Sequence, residues 1–318
     1  MVRMLALVLV LSGVTAGASA TAAPAGFAMA AMADGTEVGV WYPGAGQAVS
    51  GTLGLYEQTV VAGGAPVGSH LPLVVISHGS GGSFADHLDV AGALARSGFV
   101  VAALTHPGDN WRDHSRATDV ADRPAALRRL IDFMLLDWRF HDRIDPTRIG
   151  AFGFSAGGLT VLVAAGGRPD LSRVGPHCAA HPAFFDCVLL RSHPVDPKSG
   201  AFVPDGRIRA VVVAAPALGF TFDRAGLRAV RVPVQLWRAG ADRILPAPFY
   251  ADAVRAALPS PPEFHDVPGA GHLDFLAPCA AWVTAPAICA SAPGFDRAAF
   301  HRELDAAVVA FFSRALGR

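Results

Sequence analysis

A short apolar run, Arg148-Ile149-Gly150-Ala151-Phe152, leads directly into Gly153-Phe154-Ser155-Ala156-Gly157, and a second apolar stretch follows to Ala165. The first run has the length and content of a buried strand, and the second suits a helix, so the chain must turn sharply between them. Glycines two before and two after the serine let strand and helix approach where a Cβ would clash. Ser155 then stands at the apex, its hydroxyl clear of the sheet, beside the backbone N–H of Ala156 and the positive end of the helix dipole. This is the G-x-S-x-G pattern of a nucleophilic serine. Alone it is weak: with 34 Gly in 318 residues, chance produces it in roughly one such chain in six. The plain alternative is a Gly-rich turn whose serine caps the helix.

The flanking pattern decides between the two. Residues 71–77 are continuously apolar, as expected of a central parallel strand. They end in His78-Gly79-Ser80-Gly81-Gly82-Ser83, a loop that exposes backbone N–H groups at the carboxyl edge, where α/β sheets bind ligands. A helix pattern over 86–97 closes at Gly98, and 99–104 is the next strand, ending in Thr105-His106-Pro107-Gly108-Asp109. Residues 122–140 carry apolar side chains at helical spacing, with Asp122 and Pro124 marking the start. The succession β-α-β-α-β-Ser-α predicts an α/β chain with a doubly wound, mostly parallel sheet. Upstream, 26–32 and 36–42 flank an Asp34-Gly35 turn and predict an antiparallel hairpin at the sheet edge, with 43–70 a surface connection. Downstream, 208–214, 232–238 and 263–267 read as strands, and 247–258 and 297–316 as helices. Periodicity fails over 166–207, which forms a cap-like insertion after the serine's helix. Its Phe184-Phe185 pair is expected to wall a substrate pocket.

A serine hydroxyl attacks only when a neighbouring base takes its proton, and in this architecture the partners follow in the order Ser, Asp, His. Asp242 lies in the loop Ala239-Gly240-Ala241-Asp242 after the penultimate strand, and His272 in Pro268-Gly269-Ala270-Gly271-His272 after the last. The chain has 12 histidines, so rivals exist: His265 lies within a strand, and Asp266 and Asp274 do not follow the penultimate strand. His106, Asp109, Asp113 and His114 carry metal-ligand chemistry, but read better as a hydrogen-bonded loop lining the pocket. No metal and no cofactor is expected.

Length favours a single domain over 24–318. Lys+Arg and Asp+Glu both number 26, and without a basic run nucleic acid is not an expected partner. Arg3, the apolar run 4–14 and Ala18-Ser19-Ala20 form a signal peptide over 1–20, with Thr21-Ala22-Ala23 an alternative cleavage site. The apolar run is too short to span a bilayer. The mature protein is expected to be exported, periplasmic or secreted, with no integral membrane segment. Cys178, Cys187, Cys279 and Cys289 then meet an oxidising compartment. Of three pairings, Cys178–Cys187 with Cys279–Cys289 needs the least rearrangement of the chain. A zinc site from His177, Cys178, His181, Cys187 and His193 is the rival, but its spacing matches no common finger.

The segments Val74-Val75-Ile76-Ser77-His78-Gly79-Ser80-Gly81-Gly82, His106-Pro107-Gly108-Asp109-Asn110, Gly153-Phe154-Ser155-Ala156-Gly157-Gly158 and Gly271-His272-Leu273-Asp274-Phe275 resemble the predicted dienelactone-hydrolase and platelet-activating-factor acetylhydrolase group of α/β-hydrolases. The resemblance spans residues 26–316. It implies the α/β-hydrolase fold, a Ser155–Asp242–His272 triad, and the N–H groups of Ser80 and Ala156 as oxyanion donors. Dienelactone hydrolases use a cysteine nucleophile where this chain has Ser155, so lactone chemistry is not implied. The expected function is cleavage of a small-molecule ester or a lipid, with acyl transfer or a non-catalytic binding role as alternatives.

Overall fold

The computed structural model describes residues 23–193, 201–284 and 287–317. The expected signal peptide and residues 194–200 of the insertion lie outside them. Among the described residues ten strands form one sheet: β1 (Ala25–Ala31), β2 (Glu37–Pro43), β3 (Val49–Leu53), β4 (Tyr56–Ala62), β5 (Leu71–Ser77), β6 (Val100–Leu104), β7 (Ile144–Phe154), β8 (Ile208–Ala214), β9 (Val234–Ala239) and β10 (Glu263–Val267). Their spatial order is β10-β9-β8-β7-β5-β6-β2-β1-β4-β3. Every pairing from β6 across to β10 is parallel.

Strands β5 and β6 are buried along their whole length, which explains their unbroken apolar runs. Their side chains alternate between two cores. Leu71, Leu73 and Val75 face one core, with α2 (Asp122–Leu136), α3 (Ala156–Ala164) and α7 (Ala251–Ala257). Val74 and Ile76 face the other, with α1 (Leu88–Arg96) and α8 (Arg297–Leu316). Helix α1 stops where its sequence predicts: Gly98 takes φ 85°, and the N–H groups of Gly98 and Phe99 return to Ala95 and Leu94, a Schellman ending.

The predicted hairpin forms as β1–β2, but it is not at the edge. β2 pairs antiparallel with β6 and β1 pairs with β4. The edge is the hairpin β3–β4, inside the segment read as a surface connection. It escaped notice because β3 is exposed at nearly every position, so its side chains carry no apolar alternation.

From β5 the chain crosses to β6 on one side and returns to β7 on the other. The crevice between the carboxyl ends of β5 and β7 is therefore the topological switch point, where sheets of this kind place ligands. The loop 78–83 and Ser155 both end there. The insertion holds α4 (Val174–Ala180) and α5 (Phe185–Ser192), too short to show periodicity, with the four-residue α6 (Arg224–Leu227) further on. Disulfides join Cys178 to Cys187 and Cys279 to Cys289, with Cα–Cα separations of 5.2 and 5.6 Å. The first consumes both sulfurs that the zinc alternative required.

Candidate active site

Ser155 adopts φ 55°, ψ −118°, a region that costs a non-glycine residue about 1–3 kcal/mol. Its neighbours hold it there. The Ser155 N–H donates to Ala214 O at 2.9 Å, and its carbonyl accepts from Gly158 and Ala217 at 2.8 and 2.9 Å. A Cβ at Gly153 would lie 2.0 Å from Gly157 O, and one at Gly157 would lie 1.9 Å from Ser77 O. Both glycines are therefore obligatory for the turn. The serine side chain makes no capping bond to α3, so the helix-cap alternative fails.

The hydroxyl instead meets His272 Nε2 at 3.0 Å, while His272 Nδ1 lies 2.7 Å from Asp242 Oδ2. The other carboxylate oxygen of Asp242 accepts the N–H groups of Ile244 and Leu245, each at 2.8 Å. Burial alone would push this carboxyl up, but the His272 hydrogen bond and charge, with the two N–H groups, hold it below the usual range. An ionised Asp242 accepts only, so it takes the Nδ1–H of His272, and the neutral imidazole of that tautomer turns its acceptor nitrogen Nε2 to Ser155. Asp274 does other work: it accepts from Gly271 N–H at 2.7 Å and from the Ser291 hydroxyl, pinning the loop that carries His272. His265 stacks on Trp237, ring centroids 4.0 Å apart, and bonds Glu263.

Opposite the histidine lies the loop after β5. Among the described residues neither the Ser80 nor the Ala156 N–H has a protein acceptor, and both residues line the cavity at Ser155. His106 donates its N–H to His78 Nε2 at 2.9 Å, which leaves His78 Nδ1–H to donate to Gly79 O at 2.5 Å. Burial first, and then the Arg123 charge, push both imidazoles well below their ordinary value. Asp109 accepts from Gly81 N–H at 2.9 Å and pairs with Arg123 at 2.5 Å. These side chains thus serve the loop, while Asp113 turns outward to Ser115 N–H.

A cavity of about 320 Å³ opens beside Ser155, walled by Leu159, Val174, Leu189, Leu190 and Leu218. The structure divides the predicted aromatic pair. Phe185 lines the cavity. Phe184 turns away and stacks on His181, 4.7 Å between centroids, beside Phe249. The leucines of α5 were missed because nothing in 166–207 announced a helix. Among the described residues of the wall one is charged: Asp186 accepts from the Tyr250 hydroxyl, and burial pushes its carboxyl up.

No family model matches the chain. A curated relative, "Putative esterase NocK" from Nocardia uniformis subsp. tsuyamanensis, is 30% identical over 125 residues, which is 38% of this chain and 36% of the relative. The match therefore spans about a third of that protein's length. Among solved structures, a ferulic acid esterase from Streptomyces cinnamoneus superposes with TM-score 0.59 at 20% identity, covering 95% of this chain and 93% of that one. Neither comparison singles out the dienelactone-hydrolase or platelet-activating-factor acetylhydrolase group. The two chains share one fold along nearly their whole length, and this chain, with its mostly parallel doubly wound sheet, has the α/β-hydrolase fold.

Proposed function

We propose that this chain is an exported serine esterase acting through Ser155, His272 and Asp242. The observation that carries the reading is the unbroken hydrogen-bond line from Asp242 through His272 to a strained serine. Attack on an ester carbonyl transfers the Ser155 proton to Nε2, and Asp242 stabilises the resulting imidazolium. The carbonyl oxygen takes the negative charge, facing the N–H groups of Ser80 and Ala156, which are unspent on other acceptors. The imidazolium then protonates the departing alkoxide. Water, deprotonated by the same histidine, adds to the acyl-enzyme, and collapse of that second intermediate releases the acid and restores Ser155. No cofactor enters any step.

The cavity wall supports an apolar acyl group. Among the described residues it presents Leu, Val and Phe side chains and no cation to hold a phosphate or an acidic headgroup. Esterase names on both a relative and a structural neighbour agree with this reading. Two disulfides favour an oxidising compartment, and the mature chain is expected to begin between Thr21 and Pro24. A screen of p-nitrophenyl esters from acetate to palmitate, alongside a short-chain phospholipid, tests the activity. Hydrolysis should peak between the extremes, since acetate leaves the cavity largely empty and palmitate overfills it. A folded protein that cleaves none of these substrates would refute the proposal.

A further inference from the structure

We infer that Arg123 is the positioning residue of the oxyanion site, the one guanidinium that sets the distance between its two arms. The inference rests on the serine-esterase reading. Arg123 stands in the first turn of α2, and its side chain is only 4% exposed. Its nitrogens diverge to three segments. Nη1 meets Asp109 Oδ2 at 2.5 Å, Nη2 donates to the carbonyl of His78, and Nε donates to Thr160 Oγ1 at 3.3 Å.

Each contact leads to an oxyanion donor. His78 is two residues before Ser80. Asp109 passes its other oxygen to Gly81 N–H at 2.9 Å, so the guanidinium holds the loop on both sides of Ser80. Thr160 donates its own hydroxyl to Ala156 O at 2.8 Å, and this ties the same cation to the first turn of the serine's helix. The arms come from different strands, and the bonds through Arg123 bridge them directly. Preorganised donors stabilise a developing charge only where their spacing matches the position of the oxyanion.

A buried ion pair is a poor device for stability, since apolar packing of the same volume is often as favourable. The three divergent bonds give this one a geometric task. Lysine keeps the charge but offers a compact ammonium in place of a planar fork, and cannot serve all three segments.

The test compares Arg123→Lys, which retains a cation beside Asp109, with Thr160→Val, which deletes only the link to α3. Rates are taken per active site, titrated with a fluorophosphonate. For Arg123→Lys, kcat should fall about 10–100-fold with KM within about twofold. Thr160→Val should lower kcat about 3–10-fold in the same way. Affinity for an alkyl boronic acid, which forms a tetrahedral adduct on the serine, should fall by the same factor as kcat/KM. A residue that only supports the fold would lower Tm and leave kcat per titrated site unchanged, and that result overturns the inference. So does a rise in KM at constant kcat. If Arg123→Lys fails to fold, Thr160→Val decides: wild-type kcat per site overturns the inference. Failure of the esterase reading looks different, because the unmodified protein would then neither titrate nor hydrolyse esters.

Discussion

The proposed acid and the anchor of the histidine's loop are both aspartates, and they make different contacts. Asp242 bonds His272 Nδ1 at 2.7 Å, whereas Asp274 bonds the backbone of Gly271. Asp242→Asn leaves the loop intact but supports the wrong imidazole tautomer, and should lower kcat by about four orders of magnitude. Asp274→Asn should cost far less in kcat and show its effect in Tm. Kinetics and melting of the two variants check this, and the reverse ranking would move the acid to Asp274. The placement of Asp242 beside His272 was legible because chain order and strand position both point to it. Arg123 was not, since an arginine in a first helical turn looks like any solvated charge until the fold buries it. His87 offers a test of a different kind. Burial pushes its imidazole down to about 4, whereas the unfolded chain titrates near ~6.5. Between these values the unfolded state holds a proton that the folded state excludes, so stability falls as pH drops through the window. The ring packs against Phe152 and Phe154 at 5.0 and 5.4 Å, with the Phe275 backbone beside it. His87→Phe should therefore lose less Tm than wild type between pH 6.5 and 4.5. Asp86, raised by burial to about 6, acts in the opposite sense in both proteins and cancels from the comparison. Parallel Tm profiles would contradict the assignment.

At the scale of elements, the parallel half of the sheet was legible and the β3–β4 edge was not. Strands β5 and β6, residues 149–154 of β7 and nearly all of β8 are buried on both faces, so composition marks them, while β3 lies exposed and has no such imprint. The insertion was legible as a break in periodicity and as a pair of cysteines, but not as helices. Its helix α5 turns Phe185, Leu189 and Leu190 to the cavity, and the Cys178–Cys187 bridge ties α5 to α4. Such a bridge across a short loop contributes about 2–3 kcal/mol on chain-entropy grounds. Phe185→Ala should raise KM for octanoate esters about tenfold, equivalent to ~1.4 kcal/mol of lost apolar contact, and spare acetate esters. Phe184→Ala, which removes a side chain stacked on His181 away from the cavity, should leave both KM values near wild type. Steady-state kinetics on the two ester lengths distinguish the variants. Equal effects of Phe184→Ala and Phe185→Ala would mean that α5 does not form the acyl wall.

At the scale of the whole molecule, a doubly wound sheet collects residues that the sequence scatters. Ser155 and His272 stand 117 positions apart, yet their side chains meet at 3.0 Å. They meet because consecutive parallel strands all deliver their loops to one edge of the sheet, and the crossover between β5 and β7 opens a crevice there. That much follows from strand order, which the apolar runs made readable. The helices on either face were readable too, α8 to the residue, because long helices carry enough turns to show their period. What no local pattern carried is which groups bond across the loops: Asp109 reads as part of a hydrogen-bonded loop, but its pairing with Arg123 and the contacts of His78 were not legible. Such contacts exist only once the chain is folded. The central claim is that the assembled line activates one serine. Intact-mass spectrometry of the folded protein after treatment with a fluorophosphonate tests it most directly. A single adduct should form and map to Ser155. It should be absent from a Ser155→Ala variant of unchanged circular dichroism, whose kcat should be down about a millionfold. No adduct on the folded wild-type protein, or one on another residue, would contradict the account.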